Sequence, residues 1–176
     1  MKRLGIACGL VLLCSCLAAQ AALYEAILNS FEVMPGEIEG IVDYGTVRLT
    51  RKGRNTFSIL GSFSVLQNIG DEAEIMWTAY KLDPFSDRRQ KYGAGAGKLC
   101  QVIAGDELVY PQLLQVSDFP PKGTCPFPKG NYTIDEYVLD ERSLPPFIPP
   151  GEWLVEIKML RDGLLGGGYG VQFTVK

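Results

Sequence analysis

Between Thr124 and Leu160 the chain reads TCPFPKGNYTIDEYVLDERSLPPFIPPGEWLVEIKML. A cysteine sits among turn residues from Thr124 to Gly130, and a strand-like segment follows from Tyr132 to Leu139. The pairs Pro145-Pro146 and Pro149-Pro150 then break it. Proline has no N–H to give to a ladder and fixes its own φ, so neither helix nor central strand runs through such a loop. A second strand restarts at Gly151. This stretch commits its neighbourhood to short extended segments joined by turns.

The same grammar holds elsewhere. Leu23 to Val33 reads as a first strand, ended by Pro35-Gly36. Residues 45–50 alternate, with Val47 and Leu49 against Arg48 and Thr50. From Thr56 to Leu66 the alternation is clearest: Phe57, Ile59, Phe63 and Val65 share one face and Ser58, Ser62 and Ser64 the other. Gly61 interrupts the apolar face and marks a bulge or bend. Ala73 to Leu82 is apolar on both faces, which suits a strand covered on both sides. Residues 84–97, with the run Gly93-Ala94-Gly95-Ala96-Gly97, read as a flexible connection. Asp106 to Ser117 holds one short helix, with Asp106 as cap and Pro111 in the first turn. The closing hairpin sets Trp153, Val155, Ile157 and Met159 on one face, then Tyr169, Val171, Phe173 and Val175 on one face of the last strand. About eight or nine strands and one short helix predict an all-β fold, an antiparallel two-sheet sandwich or cup.

The first 21 residues read as a secretory signal. Lys2 and Arg3 precede an apolar run from Leu4 to Leu17, and Ala19-Gln20-Ala21 has the small residues of a cleavage site. Residues 22–176 then form a single domain of a secreted, extracellular protein. Loss of that segment moves the net charge from −3 to −5, because it takes two of the 17 basic residues and none of the 20 acidic ones. A mildly acidic chain without a basic patch does not suit nucleic acid.

Cys8, Cys14 and Cys16 leave with the signal, so Cys100 and Cys125 remain. An even pair in an oxidising compartment reads as a disulfide. Two free thiols or a metal pair are the alternatives. A structural zinc shell is hard to complete from two cysteines when the chain has no histidine. Asn131-Tyr132-Thr133 is an N-glycosylation sequon at a turn-to-strand junction.

The missing histidine also rules out serine–histidine and cysteine–histidine nucleophile pairs. Asp135-Glu136 and Asp140-Glu141 are the candidate acid pairs for a carboxylate hydrolase. Adjacent strand residues point to opposite faces, so neither pair converges on one bond. No catalytic residue, cofactor or metal is implied. The Gly-x-Gly within residues 93–97 lacks the strand and helix that a nucleotide cradle needs.

What remains is an excess of apolar and aromatic strand residues. They form either a packed core or the lining of a hollow for an apolar ligand. By strand parity that lining comprises Phe57, Ile59, Phe63, Val65, Trp77, Trp153, Val155, Ile157, Met159, Val171 and Phe173.

The order Cys125-Pro126-Phe127, Gly130, Tyr132, Leu144-Pro145 and Pro149-x-Gly151-Glu152-Trp153 resembles the ML-like lipid-recognition group that includes the ganglioside activator. The chain looks closer still to the small secreted insect proteins of the CheB-like type. That likeness extends upstream through Val47-Arg48-Leu49, the Phe57–Val65 strand, Gly70-Asp71-Glu72 and Leu99-Cys100. It implies a β cup holding a lipid or other hydrophobic small molecule without enzymatic activity, as carrier, presenter or chemosensory accessory. A receptor or membrane surface would donate or accept the ligand. One disulfide here, against several in the ganglioside activator, weakens any transfer of ganglioside specificity. A secreted protein–protein interaction module on a packed sandwich is the alternative, with loops 84–97 and 143–150 as its contacts.

Overall fold

A computed structural model describes residues 24–86, 88–140 and 144–176. The expected signal segment and Glu141 lie outside these residues. Nine strands and two short helices occur among them, arranged as the two-sheet antiparallel sandwich that the punctuation implies.

Strands β1 (Ala26–Met34), β5 (Ala73–Leu82), β6 (Arg89–Lys98), β8 (Gly151–Arg161) and β9 (Leu164–Val175) make one sheet. Its order is β1-β9-β8-β5-β6. The other sheet is built on β4 (Phe57–Val65). Strand β7 (Gly130–Tyr137) pairs along one side of β4. The other side is shared by β2 (Val42–Asp43) and β3 (Arg48–Arg51), two pieces of one broken edge strand. The break needs glycine. Gly45 has φ +50°, and a Cβ there would lie 2.4 Å from Ser62 O. Gly61, on β4, has φ +130° and faces Thr46 O at the same spacing. Two side chains at this crossing would force the strands apart. Gly61 also adjoins a register shift between β4 and β7, the bulge that its position suggested.

Three local expectations are corrected. The 84–97 connection is mostly strand: Arg89–Lys98 pairs with β5 from Glu74↔Lys98 to Leu82↔Arg89. Its glycines and alanines alternate across the sheet. Gly93 and Gly95 lie opposite Ala79 and Trp77, and the Trp77 indole spreads over the bare glycine backbone, 3.5 Å from where a Gly93 Cβ would stand. A run that looks flexible is a strand whose missing side chains are filled by a neighbour's ring. Second, the β5 segment is not covered on both faces, since Met76 and Trp77 are 38% and 43% exposed. Third, two helices replace one. The α1 helix (Leu99–Gly105) follows β6 directly, and α2 is a single turn (Tyr110–Leu113). Asp106 is not the N-cap of the second, which is Val109; it stands between the two helices, where its carboxylate accepts the N–H groups of Leu108, Val109 and Tyr110 at 2.8–3.0 Å. Pro111 stands in the first turn, where no N–H is needed.

The inner faces pack in two separate clusters. One end holds Leu28, Trp153, Phe173 and Val175, with Leu49, Phe57, Ile148, Val155 and Val171 against them. The other holds Ile41, Val65, Ile69, Leu99, Tyr110, Phe127, Tyr132 and Met159.

Candidate functional site

Between the two clusters the sandwich is hollow. A cavity of about 280 Å³ lies there. Ile59 and Phe63 of β4, Ile75 of β5, and Ile157 and Met159 of β8 line it from both sheets. Phe31 of β1 and Tyr169 of β9 add a stacked ring pair with centroids 5.4 Å apart. Val42, Tyr44 and Val47 enter from the broken edge strand, and Ile134 and Tyr137 from β7. Val109, Leu113 and Phe119 close one side. No lining residue carries a charge. Larger surface grooves exist, but they mix charged and apolar side chains, such as Glu107, Glu136 and Asp140 beside α2.

Four of the eleven lining residues expected from parity, Ile59, Phe63, Ile157 and Met159, are in this wall. The other seven are not. Phe57, Trp153, Val155, Val171 and Phe173 belong to the packed end of the sandwich, and Val65 to the opposite cluster. Trp77 stands opposite Ile157 but lies towards β6, on the open margin of the sheet. Parity chose the inner face; position along the strand decides between packed and hollow. The proline loop lies at the packed end too. Trp153 Nε1 donates to Pro149 O at 2.9 Å, Tyr24 Oη donates to Pro145 O at 2.6 Å, and Ile148 joins the cluster.

The residues that parity missed have local causes. In β7 two residues, Asp135 and Glu136, oppose one residue of β4. This bulge, with Glu136 at φ 58°, turns both Ile134 and Tyr137 inward although their spacing is odd. Tyr44 sits where β2 gives way to β3, against Gly167, whose missing side chain leaves room for its ring: a Cβ there would lie 3.1 Å from Tyr44 Oη. Val47, Tyr169 and Phe31 were legible from alternation. Val109, Leu113 and Phe119 were not, because Val109 and Leu113 belong to the single turn of α2 and Phe119 to irregular chain, where strand alternation does not apply.

That segment is held by a disulfide. Cys100 and Cys125 are bonded, with Cα atoms 5.7 Å apart. Asp71 Oδ1, beside them, accepts the Cys100 N–H at 3.0 Å. The bond joins the start of α1 to the segment where Phe127 and Ile69 exchange backbone hydrogen bonds of 2.7 and 2.9 Å. It therefore ties the chain leaving one sheet to the chain entering the other. Everything between the cysteines, including Val109, Leu113 and Phe119, forms a closed loop over the cavity.

Three phenols, Tyr44, Tyr137 and Tyr169, stand in the wall. Burial pushes Tyr137 up to about 12, and Tyr169, Asp106 and Asp140 add to it. Burial likewise pushes Tyr169 up to about 12, helped by Asp106. Tyr44 is raised by burial and by Tyr169. All three stay neutral near neutral pH.

The expected glycosylation site is accessible. Asn131 is exposed on β7, where its side-chain oxygen accepts from Ser64 Oγ at 2.8 Å. Of the candidate acid pairs, Asp135 and Glu136 occupy the bulge, and Glu136 is salt-bridged to Lys52. Asp140 borders the surface groove beside α2. Among the described residues no helix is long and apolar enough to cross a membrane.

Fold and site together define a β sandwich with an uncharged, half-open cavity between its sheets, bordered by a disulfide loop. A family model described as a protein of unknown function (DUF1091) matches residues 97–155. The match runs from the end of β6 through the disulfide loop and β7 into β8. No curated protein matches the chain.

Proposed function

We propose that the chain is a secreted, non-enzymatic binding protein for a hydrophobic small molecule held between its two sheets. One observation carries this reading: the inner faces are packed at both ends and separated in the middle by a cavity whose wall has no charged side chain. Ligand sites are typically apolar hollows with a few polar fixtures, and the only polar side chains among the residues lining this one are tyrosines. The resemblance to CheB-like proteins and the ML-like group supports it, with the role of carrier, presenter or chemosensory accessory. The disulfide suits an oxidising compartment, and the exposed Asn131 suits a glycan added on the secretory route.

The test is direct. Protein secreted by insect cells is extracted with organic solvent and the extract analysed by mass spectrometry. In parallel, an apolar fluorescent probe is titrated into the stripped protein. A co-purifying hydrophobic compound or saturable probe binding is expected. Neither appearing would end the reading.

A second reading, a protein-interaction module, is favoured by Phe85 and Phe147, which are 96% and 69% exposed on loops. Probe binding that survives Phe85→Ser and Phe147→Ser favours the cavity over these loops.

A further inference from the structure

Rings reach the hollow from both sheets. Phe31 of β1 and Tyr169 of β9 come from the larger sheet, and Phe63 of β4 and Tyr137 of β7 from the smaller one. Tyr44 enters at the broken edge strand and Phe119 from the disulfide loop. An occupant held between the sheets therefore has aromatic side chains on both sides of it.

The packing next to the hollow shows what such a wall accepts. Phe63 and Phe119 meet edge-on, and Phe119 also meets Phe127 and Tyr132 edge-on. Phe127 and Tyr132 are buried in the neighbouring cluster. Phe63 and Phe119 pack against that cluster and also line the hollow. The array of interlocking rings thus runs up to the hollow and stops there. A further ring placed in the hollow would extend it. An edge-on or offset ring pair strengthens binding about two- to twelvefold beyond the effect of its buried area. A rigid ring also loses no internal rotation on entry, whereas a flexible chain does.

Charge and size set the other limits. No lining residue carries a charge to meet an ion, and burial of an unpaired charge is costly. An apolar cavity of about 150 Å³ holds benzene. By proportion this hollow, about 280 Å³, encloses roughly eleven heavy atoms, the size of two fused rings or of one ring with a short tail.

We infer that the part of the ligand enclosed between the sheets is an uncharged aromatic ring system of one or two rings. This rests on the binding-protein reading and names its ligand class.

The experiment displaces an apolar fluorescent probe from the full chain. The competitors are naphthalene, decalin (the same carbon skeleton without the ring electrons), undecane and pyrene. Each affinity is divided by that compound's water-to-hexadecane partition coefficient, which removes plain hydrophobicity. On this scale naphthalene should exceed decalin and undecane by roughly two- to twelvefold, and pyrene, too large for the enclosed volume, should fall below naphthalene. Phe31→Leu and Phe63→Leu should each reduce the preference for naphthalene over decalin at least about twofold. Trp77→Leu, outside the wall, should leave that preference unchanged. No preference for naphthalene over decalin in the wild-type chain overturns the inference, and the binding-protein reading stands as long as the probe binds. A preference that survives both phenylalanine variants, or pyrene above naphthalene, overturns it too. If neither the probe nor any competitor binds, the binding-protein reading falls and this inference with it.

Discussion

The ring of Phe119 stands edge-on to the ring of Phe63, with centroids 5.6 Å apart and planes at 85°. Phe63 lies on the central strand of the smaller sheet, and Phe119 lies in the disulfide loop. The contact therefore seats the loop on the sandwich. Phe119 also meets Tyr132 at 5.8 Å and Phe127 at 6.2 Å, both edge-on. Truncation to alanine removes four ring contacts, that with Tyr110 at 6.2 Å included, and enlarges the cavity. Phe119→Ala should cost about 3 kcal/mol, read from the shift of the urea midpoint at constant slope. The enlarged cavity should also change the affinity for the apolar fluorescent probe. An unchanged midpoint would mean that the loop is seated by something else.

The disulfide makes a second prediction. It closes a ring with a sequence separation of 25, worth about 3.5 kcal/mol in the chain-entropy treatment. The paired change Cys100→Ser with Cys125→Ser should lose most of that. Its first proteolytic cuts, mapped by mass spectrometry, should fall between residues 101 and 124. First cuts in β4 or β8 instead would show that the bond holds the sandwich rather than the loop.

Alkaline pH should unfold the protein in a defined window. Tyr137 and Tyr169 each titrate at about 12 in the fold against 10.0 unfolded. A raised folded value means that the native state holds the proton more tightly. The associated stability is complete below pH 10 and is lost as pH rises from 10 through about 12. Urea midpoints should be insensitive to these groups below pH 10 and fall above it. Tyr137→Phe with Tyr169→Phe should flatten part of the fall.

Gly95 offers a local test of the edge strand. A Cβ there would come 2.5 Å from Trp77 Nε1 and 2.9 Å from Cε2. The indole is partly exposed and free to swing outward. Gly95→Ala should change tryptophan emission at a stability cost below about 1 kcal/mol. Gly93→Ala, whose Cβ would make an ordinary 3.5 Å contact, should leave emission nearly unchanged. Equal emission changes in the two variants would contradict the packing described.

The architecture was legible because prolines and glycines punctuate it and the strands between them alternate. Cys100 and Cys125 were legible as a pair by elimination of the other cysteines. Residues 153–159 show how far alternation reaches. All four odd-numbered side chains are in the inner layer, yet only Ile157 and Met159 reach the hollow. Whether an inner residue packs depends on what the opposite sheet brings to that height, which strand parity does not encode. Tyr137 was hidden by a bulge that reverses parity within three residues. Tyr44 was hidden by a strand break set by two glycines, one of them on another strand. The glycine–alanine run misled because its ordering partner, Trp77, is distant in sequence.

The closed loop between Cys100 and Cys125 has a consequence for timing. A flap with a free end swings aside and returns quickly, whereas this segment is anchored covalently at both ends and opens only by deforming as a ring. For the proposed binding function, entry and exit of a ligand would be paced by how often the ring distends, and affinity alone would not set the dwell time. Reducing agent should shorten the dwell time of a bound probe more than it weakens equilibrium binding.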